Sequence, residues 1–263
     1  MHALDIYVVD NASIDGSVDM VRSLFPSVHV IARQDRGSYA ENQNLILKQV
    51  NTEYVWILNE DTIIGAGVLG DMLSAMEQYP QAGIVGVTIL NPDGSLQATC
   101  MRFPTVRQKI LTRWFGWVAR FRPSGRLPFN GSLSDREHRR FQRVDWVNGA
   151  SRLVRRQVLD DVGVLDEGLP IFYEETDQAR LARNAGWSCL YSPRTHVWHV
   201  QGASRRSQEE KDKMHRILEE STYYYFRKHR GVLAMLTVRF SDVSHHVLAR
   251  TFREILSKLR WHG

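Results

Sequence analysis

Hydrophobic positions along this chain switch between a period of about two and a period of about 3.6, and the switching predicts an α/β order of elements. Positions 4–9 form a β-branched apolar run that closes on Asp10-Asn11-Ala12-Ser13 and then Asp15-Gly16-Ser17. That pattern predicts a strand, a polar loop and a helix capped by Ser or Asp that runs through Met20, Val21 and Leu24. A second short strand is expected over 28–32, and Gly37 opens a loop into an amphipathic helix over 39–50. Residues 54–58 read as a strand, and 68–78 as a helix with Leu69, Met72, Leu73 and Met76 on one face. Residues 84–90 form another strand, closed by the turn Asn91-Pro92-Asp93-Gly94. Strands alternating with helices predict a largely parallel sheet.

The pattern loosens between 102 and 143, which carries Arg-rich clusters, Pro104, Pro123, Pro128, Gly125 and Gly131, with little periodicity. The expectation there is a long functional or partly disordered loop. Then come an apolar stretch at 144–149, a helix over 155–162, and the acidic cluster Glu174-Glu175-Thr176-Asp177. A helix to Ala185-Gly186, a strand over 188–192 and the run Val197-Trp198-His199 complete a first domain, taken as 1–205. Residues 206–263 read as a helical extension. In it Val243, Val247, Leu248, Phe252, Ile255, Leu256 and Leu259 share a face, while Arg250, Arg253, Lys258 and Arg260 lie mostly off it. Such a basic amphipathic helix suits packing on its own domain and docking on an anionic membrane surface about equally.

Composition narrows this picture only a little. At 263 residues, 43% hydrophobic and 24% charged, the chain can bury one large α/β core with an appendage. A net charge of +5 suits an anionic ligand or an anionic membrane; nucleic acid has no support beyond that charge and is not expected as a partner. Cys100 and Cys189 form no C-x-x-C, so neither a zinc nor a redox framework is indicated. The first residues lack the order of a signal peptide. No apolar run reaches the roughly 18 residues of a membrane span. The expected location is the cytoplasm, with any membrane contact peripheral, on the inner face of the plasma membrane.

Candidate chemistry gathers where apolar runs end in acid. The stretch Trp56-Ile57-Leu58-Asn59-Glu60-Asp61-Thr62 passes from β-formers straight into two carboxylates. Ligands of open α/β sheets bind just beyond the carboxyl ends of strands, and carboxylates there can hold a divalent cation together with phosphate oxygens. A strand that ends in a polar turn explains the same residues equally well. Asp10, Glu60-Asp61 and Glu174-Glu175 each follow an apolar segment, so a parallel sheet could bring all three to one cleft. One could accept a hydrogen bond from a nucleobase, one could bind metal, and one could serve as a general base. His196 and His199 lie three apart in a β-like run, so at most one faces such a site.

Several of these stretches together resemble family 2 glycosyltransferases. They are Val8-Val9-Asp10-Asn11-Ala12-Ser13, Leu58-Asn59-Glu60-Asp61-Thr62, and Leu90 through Gln97 (Asn-Pro-Asp-Gly-Ser-Leu-Gln after the leucine). Val144-Asp145-Trp146-Val147-Asn148-Gly149-Ala150, Phe172-Tyr173-Glu174-Glu175-Thr176-Asp177 and Ala185-Gly186-Trp187 complete the set. The similarity is greatest to the bacterial rhamnosyltransferase-like branch, whose tail Tyr224 through Gly231 resembles.

The resemblance implies a GT-A fold, a Rossmann-like, mostly parallel sheet flanked by helices, with the helical extension following it. It implies a nucleotide-diphospho-sugar donor such as dTDP-rhamnose, Mg²⁺ or Mn²⁺, and an inverting single displacement onto a lipid-linked, cell-wall or polysaccharide acceptor. By that similarity Asp10, Asn11, Gly37, Asn42, Asn44 and Asn59 fall beside the nucleotide, with Asp10 at the base. Asp61 matches the principal metal ligand of the variant D-x-D, and His199 the late histidine near the diphosphate. Trp146, Gly149, Ala150 and Asp177 match the acceptor side. Glu175 matches the catalytic base, usually Asp, with Glu174 as its possible substitute; Glu60 stands where Pro is common. The resemblance starts at the second strand of the family pattern, which implies that one strand-helix unit is lacking. An inactive remnant or a non-enzymatic binding subunit of the same fold is therefore the competing expectation. Nucleotidyl transfer on a related fold ranks below both, because the acceptor-side motifs resemble those of sugar transferases.

Overall fold

The computed structural model describes residues 4–121, 131–200 and 207–259, with side chains outside the description at 119–121 and 252–259. The first half contains β1 (Tyr7–Asp10), α1 (Ser17–Leu24), β2 (His29–Ala32), α2 (Tyr39–Leu47), β3 (Tyr54–Leu58), β4 (Thr62–Ile64), α3 (Val68–Gln78) and β5 (Ala82–Leu90). It continues with β6 (Cys100–Met101), α4 (Val106–Phe115), β7 (Gln142–Val144), β8 (Trp146–Val147), β9 (Ser151–Arg155), α5 (Arg156–Val162), α6 (Glu174–Asn184) and β10 (Ser188–His199). Two long helices, α7 (Gln208–Arg230) and α8 (Val232–Leu259), follow.

β5 is the centre of the main sheet because its sequence is almost wholly apolar, as suits a strand covered on both faces. Val85, Val87 and Ile89 pack with Met72, Ala75 and Met76 of α3, whereas Ile84 packs with Val158, Leu159 and Ala182 from the α5–α6 side. Gly86 lets β8 close over the sheet: a Cβ there would stand 2.7 Å from that of Val147. The strand order is β3-β9-β5-β10-β4, with β7 also on β10. β9 runs antiparallel to β3 and β5, and β5 runs parallel to β10. β3, β5 and β10 thus point the same way and their carboxyl ends lie along one edge. The α/β expectation holds, in a sheet that is mixed. β1 and β2 form a separate parallel pair.

Several elements differ from the expected order. β9 was disguised by Ser151 and Arg152, both buried, which break an otherwise apolar run. β10 is one strand from 188 to 199 with a register shift between Ser192 and His196, where Pro193 interrupts the ladder. The loop expected over 102–143 contains helix α4, started by Thr105 and Gln108 in a reciprocal capping box. Pro123, Gly125 and Pro128 of that expectation lie outside the described residues.

α4 packs on α8, where Trp114 donates to Ser241 Oγ at 2.9 Å. On α8 Val238, Ser241 and Asp242 are buried, while Leu233, Phe240 and the expected face residues Val243, Val247 and Leu248 are exposed. The side chains at 252 and beyond, including Phe252, Arg253, Ile255, Leu256, Lys258, Leu259 and Arg260, lie outside the described residues. Among the described residues no helix is long and apolar enough to cross a membrane.

Candidate active site

Beyond Leu58 the chain turns sharply, with Thr62 Oγ1 donating to the Asn59 carbonyl at 2.7 Å, and re-enters the sheet as β4. β4 lies antiparallel to the end of β10, with Thr62 opposite His199. This register brings Asp61 Oδ1 to 3.0 Å from His199 Nε2. The two candidate metal ligands, 138 positions apart in the sequence, are therefore neighbours at the strand ends.

Gln97 sets the orientation of the imidazole. Its amide nitrogen donates to Asn91 Oδ1 and to the His199 carbonyl, both at 2.7 Å. Its oxygen must then be the acceptor for His199 Nδ1, at 3.0 Å. The ring proton is thereby held on Nδ1, and Nε2 presents its lone pair beside Asp61. A carboxylate oxygen and an oriented imidazole nitrogen make a donor pair that fits a divalent cation.

The acidic pair sits at the first turn of α6. Phe172 and Tyr173 enter it with φ of 69° and 71°, left-handed conformations that non-glycine residues rarely adopt. The Tyr173 ring is held against that of Tyr225 at 5.0 Å, and its hydroxyl accepts from Thr222 Oγ1 at 3.3 Å. Packing from α7 thus supports the strained entry that aims Glu174 and Glu175. Glu174 is buried; Glu175 keeps some accessible surface, although its carboxyl group is enclosed.

Burial, and then the neighbouring Glu175 charge, push Glu174 up to about 9. Burial also raises Glu175, while Arg152 opposes the rise in both. The hydrogen bond between the two carboxyls raises Glu174 and lowers Glu175, which favours Glu174 as the protonated member of the pair. Arg152 donates to Gln178 Oε1 at 2.6 Å, and among the described residues its Nε and Nη2 are buried without partners, as are Oε2 of both glutamates. Unpaired polar atoms of both signs in one buried patch are costly unless a reacting group completes them. Tyr39, whose phenol burial holds above its usual range, donates to Asn59 Oδ1 at 3.2 Å.

The other expected site residues divide into two groups. Gly149 lies against Glu175, with space for a Cβ 3.7 Å from its carboxyl carbon. Ala150 accepts from Asn59 N at 3.0 Å, so the acceptor-side turn is stitched to the end of β3. Asp10 accepts from Ser13 N at 3.0 Å, and Asn11 exchanges hydrogen bonds with the backbone of Gly37, which ties the two nucleotide-side loops together. Asn42 Oδ1 is buried without a partner.

In the second group, Asn44 is buried and holds Leu165 N, Leu165 O and Glu167 Oε1, which fixes the 165–167 loop. Trp146 donates to the Arg102 carbonyl at 3.1 Å. Asp177 is buried between His229 and Lys228 of α7. Tyr39, Gln97 and Arg152 were not singled out from the sequence. The visible signal for Arg152 was a charge inside an apolar run, and for Gln97 its place at the end of the motif that begins at Leu90.

Residues 2–163 match the profile of Glycosyl transferase family 2, so Glu174, Glu175 and His199 lie beyond the matched span. The chain is 25% identical over 219 residues to N-acetylglucosaminyl-diphospho-decaprenol L-rhamnosyltransferase of Mycobacterium tuberculosis (strain CDC 1551 / Oshkosh), covering 76% of this chain and 68% of that relative. Its fold is similar to that of GalNAc-T7 solved with UDP, GalNAc and Mn²⁺, at a TM-score of 0.53 and 14% identity over 92% of this chain. The chain spans about half of that structure, 48% of its length. It is also similar to Staphylococcus aureus TarS 1-349, with a TM-score of 0.51, 13% identity, and coverage of 95% of this chain and 82% of that one.

Proposed function

The chain belongs to glycosyl transferase family 2, and from that membership we propose that it carries out an inverting, metal-assisted transfer of a sugar from a nucleotide-diphospho-sugar. The observation that carries this reading is the meeting of Asp61 with His199 at 3.0 Å, beside Asn59, whose Oδ1 accepts from Tyr39.

In this reading Asp10, Asn11, Gly37, Asn42 and Asn59 lie along the nucleotide, with Asp10 accepting from the base. Asp61 and His199 would hold Mg²⁺ or Mn²⁺, which supplies charge neutralisation for a leaving diphosphate. Glu175, ionised, takes the proton of the acceptor hydroxyl as that oxygen bonds to the anomeric carbon. The bond from that carbon to the diphosphate breaks on the opposite face, and the nucleoside diphosphate departs. Glu174 keeps its own proton and orients Glu175 by the hydrogen bond between them. Gly149, with Ala150 and Trp146 beside it, leaves room for the acceptor against Glu175.

The name of the Mycobacterium tuberculosis relative supports rhamnose as the sugar and a lipid-linked saccharide as the acceptor. The exposed apolar residues of α8 suit contact with the membrane that carries such a lipid, a contact that flotation with anionic vesicles would test. Donor binding is tested by thermal unfolding with dTDP, UDP and GDP, each with and without Mn²⁺, beside Asp61→Ala. A ligand at 100 times its dissociation constant adds about 2.7 kcal/mol to the folded state. A metal-dependent rise with one nucleotide, absent in the variant, is expected; no rise with any of the three would refute the donor site.

A further inference from the structure

Away from the strand ends, α7 and α8 bring two histidines and a glutamate together. His215 and Glu219 lie one turn apart on α7, with Nε2 and Oε1 separated by 3.4 Å. His246 reaches the same carboxylate oxygen from α8 at 3.9 Å. Among the described residues this is the one place where three such side chains offer ligand atoms within 4.8 Å of one another. We propose that His215, Glu219 and His246 form a second metal site, for a zinc-like divalent ion, that joins α7 to α8.

The chemistry of the donors selects the ion. Two imidazole nitrogens and one carboxylate oxygen suit zinc and its transition-metal neighbours, whereas magnesium and calcium take oxygen ligands. Zinc held at bonds of about 2.0–2.1 Å keeps tetrahedral ligand atoms about 3.3 Å apart. The His215–Glu219 pair already has that spacing, and the remaining closure is about 1.5 Å or less. Both imidazole side chains are 52% exposed, which leaves them room to make it.

Arg113 competes for the same glutamate, with Nη2 2.8 Å from Oε1. A carboxylate has about four lone-pair sites, so one contact does not close it. Arg113 also holds Asp242 at 2.6 Å and so stays paired if Glu219 turns toward a metal. His245 is not a ligand in this scheme, because its ring lies edge-on to Trp114 at 5.4 Å. An ion here would fix the angle between the last two helices. α7 in turn carries the Tyr225, Lys228 and His229 contacts that brace the start of α6.

The test is equilibrium dialysis of metal-free protein against ZnCl₂, with thermal unfolding in parallel. It is run in the Asp61→Ala background, so that the site at the strand ends cannot supply the signal. The expected result is one zinc per chain and a zinc-dependent rise in Tm. His215→Ala and His246→Ala should each weaken binding by more than about 100-fold, the upper end of what losing a supporting residue costs. Both positions are exposed, so the variants fold. Equal zinc affinity in Asp61→Ala with and without His246→Ala would overturn the site, whatever the outcome for nucleotide binding.

Discussion

His229 Nε2 stands 2.6 Å from Asp177 Oδ1, both side chains almost fully buried, and this contact fastens the end of α7 to the first turn of α6. Lys228 holds the other oxygen at 2.9 Å. Three carboxylates crowd that turn, and Asp177 is the one whose charge is fully met, so it does not add to the repulsion between Glu174 and Glu175. The basic segment Arg227-Lys228-His229-Arg230 thus acts as a structural counterpart to the acidic pair.

Removing Asp177 leaves His229 without its acceptor, while Lys228 keeps Asp166 at 2.6 Å. Breaking one side of a buried pair costs about 3–5 kcal/mol. The lower end is expected here, since Lys228 keeps some exposure. Denaturant unfolding of Asp177→Ala checks it; an unchanged midpoint would mean that α7 is held by its aromatic contacts alone.

Glu175→Gln removes the proposed base while keeping its shape. General-base catalysis contributes about 10²–10⁴ in rate, so turnover should fall within that range. Binding of nucleotide with Mn²⁺ should be unchanged, because Glu175 touches the acceptor side. A variant that transfers sugar at the parent rate would move the base to another residue. The parent's rate should also rise with pH on the acid side, through a base lifted by burial above the ordinary 4.5.

Glu174 makes the folded chain sensitive to alkali. Its folded value is about 9, against an ordinary value of 4.5. Between those limits the folded chain retains a proton that the unfolded chain releases, so stability falls as pH rises through the window. Glu174→Gln removes that slope. The variant should match the parent near pH 4 and exceed it at pH 8 by up to about 5 kcal/mol, about 1.36 kcal/mol for each pH unit above 4.5. Parallel curves of stability against pH would show that Glu174 ionises normally in the fold.

How much of this was legible in the sequence depended on distance along the chain. The ends of β3 and the start of α6 were readable because an apolar run that stops at adjacent carboxylates is a local signal. α4 had a local signal too, Thr105 with Gln108, but Arg-rich surroundings obscured its periodicity. Pairings across the chain were not readable: Asp177 with His229 spans 52 positions, and Gln97 with His199 spans 102. Asn44 shows the opposite hazard. Its place beside the nucleotide loop drew it into the expected binding set, whereas its amide is bonded on both sides to the 165–167 loop.

Gln97 gives the most specific test of the metal-ligand end. Its amide nitrogen donates twice and its oxygen accepts from His199 Nδ1, which keeps a proton on that ring nitrogen. Gln97→Leu keeps roughly the same volume but strands His199 Nδ1, and each buried group left unpaired costs about 1–3 kcal/mol. The freed ring can then turn or carry its proton on Nε2, the atom that faces Asp61. Loss of such an orienting partner typically weakens metal affinity 10–100-fold. Mn²⁺ titrations in the presence of nucleotide should show that loss, while nucleotide affinity without metal stays as in the parent. If Gln97→Leu lowered Tm but left the Mn²⁺ dependence intact, Gln97 would be a packing residue, and His199 would owe its orientation to the β4–β10 register alone.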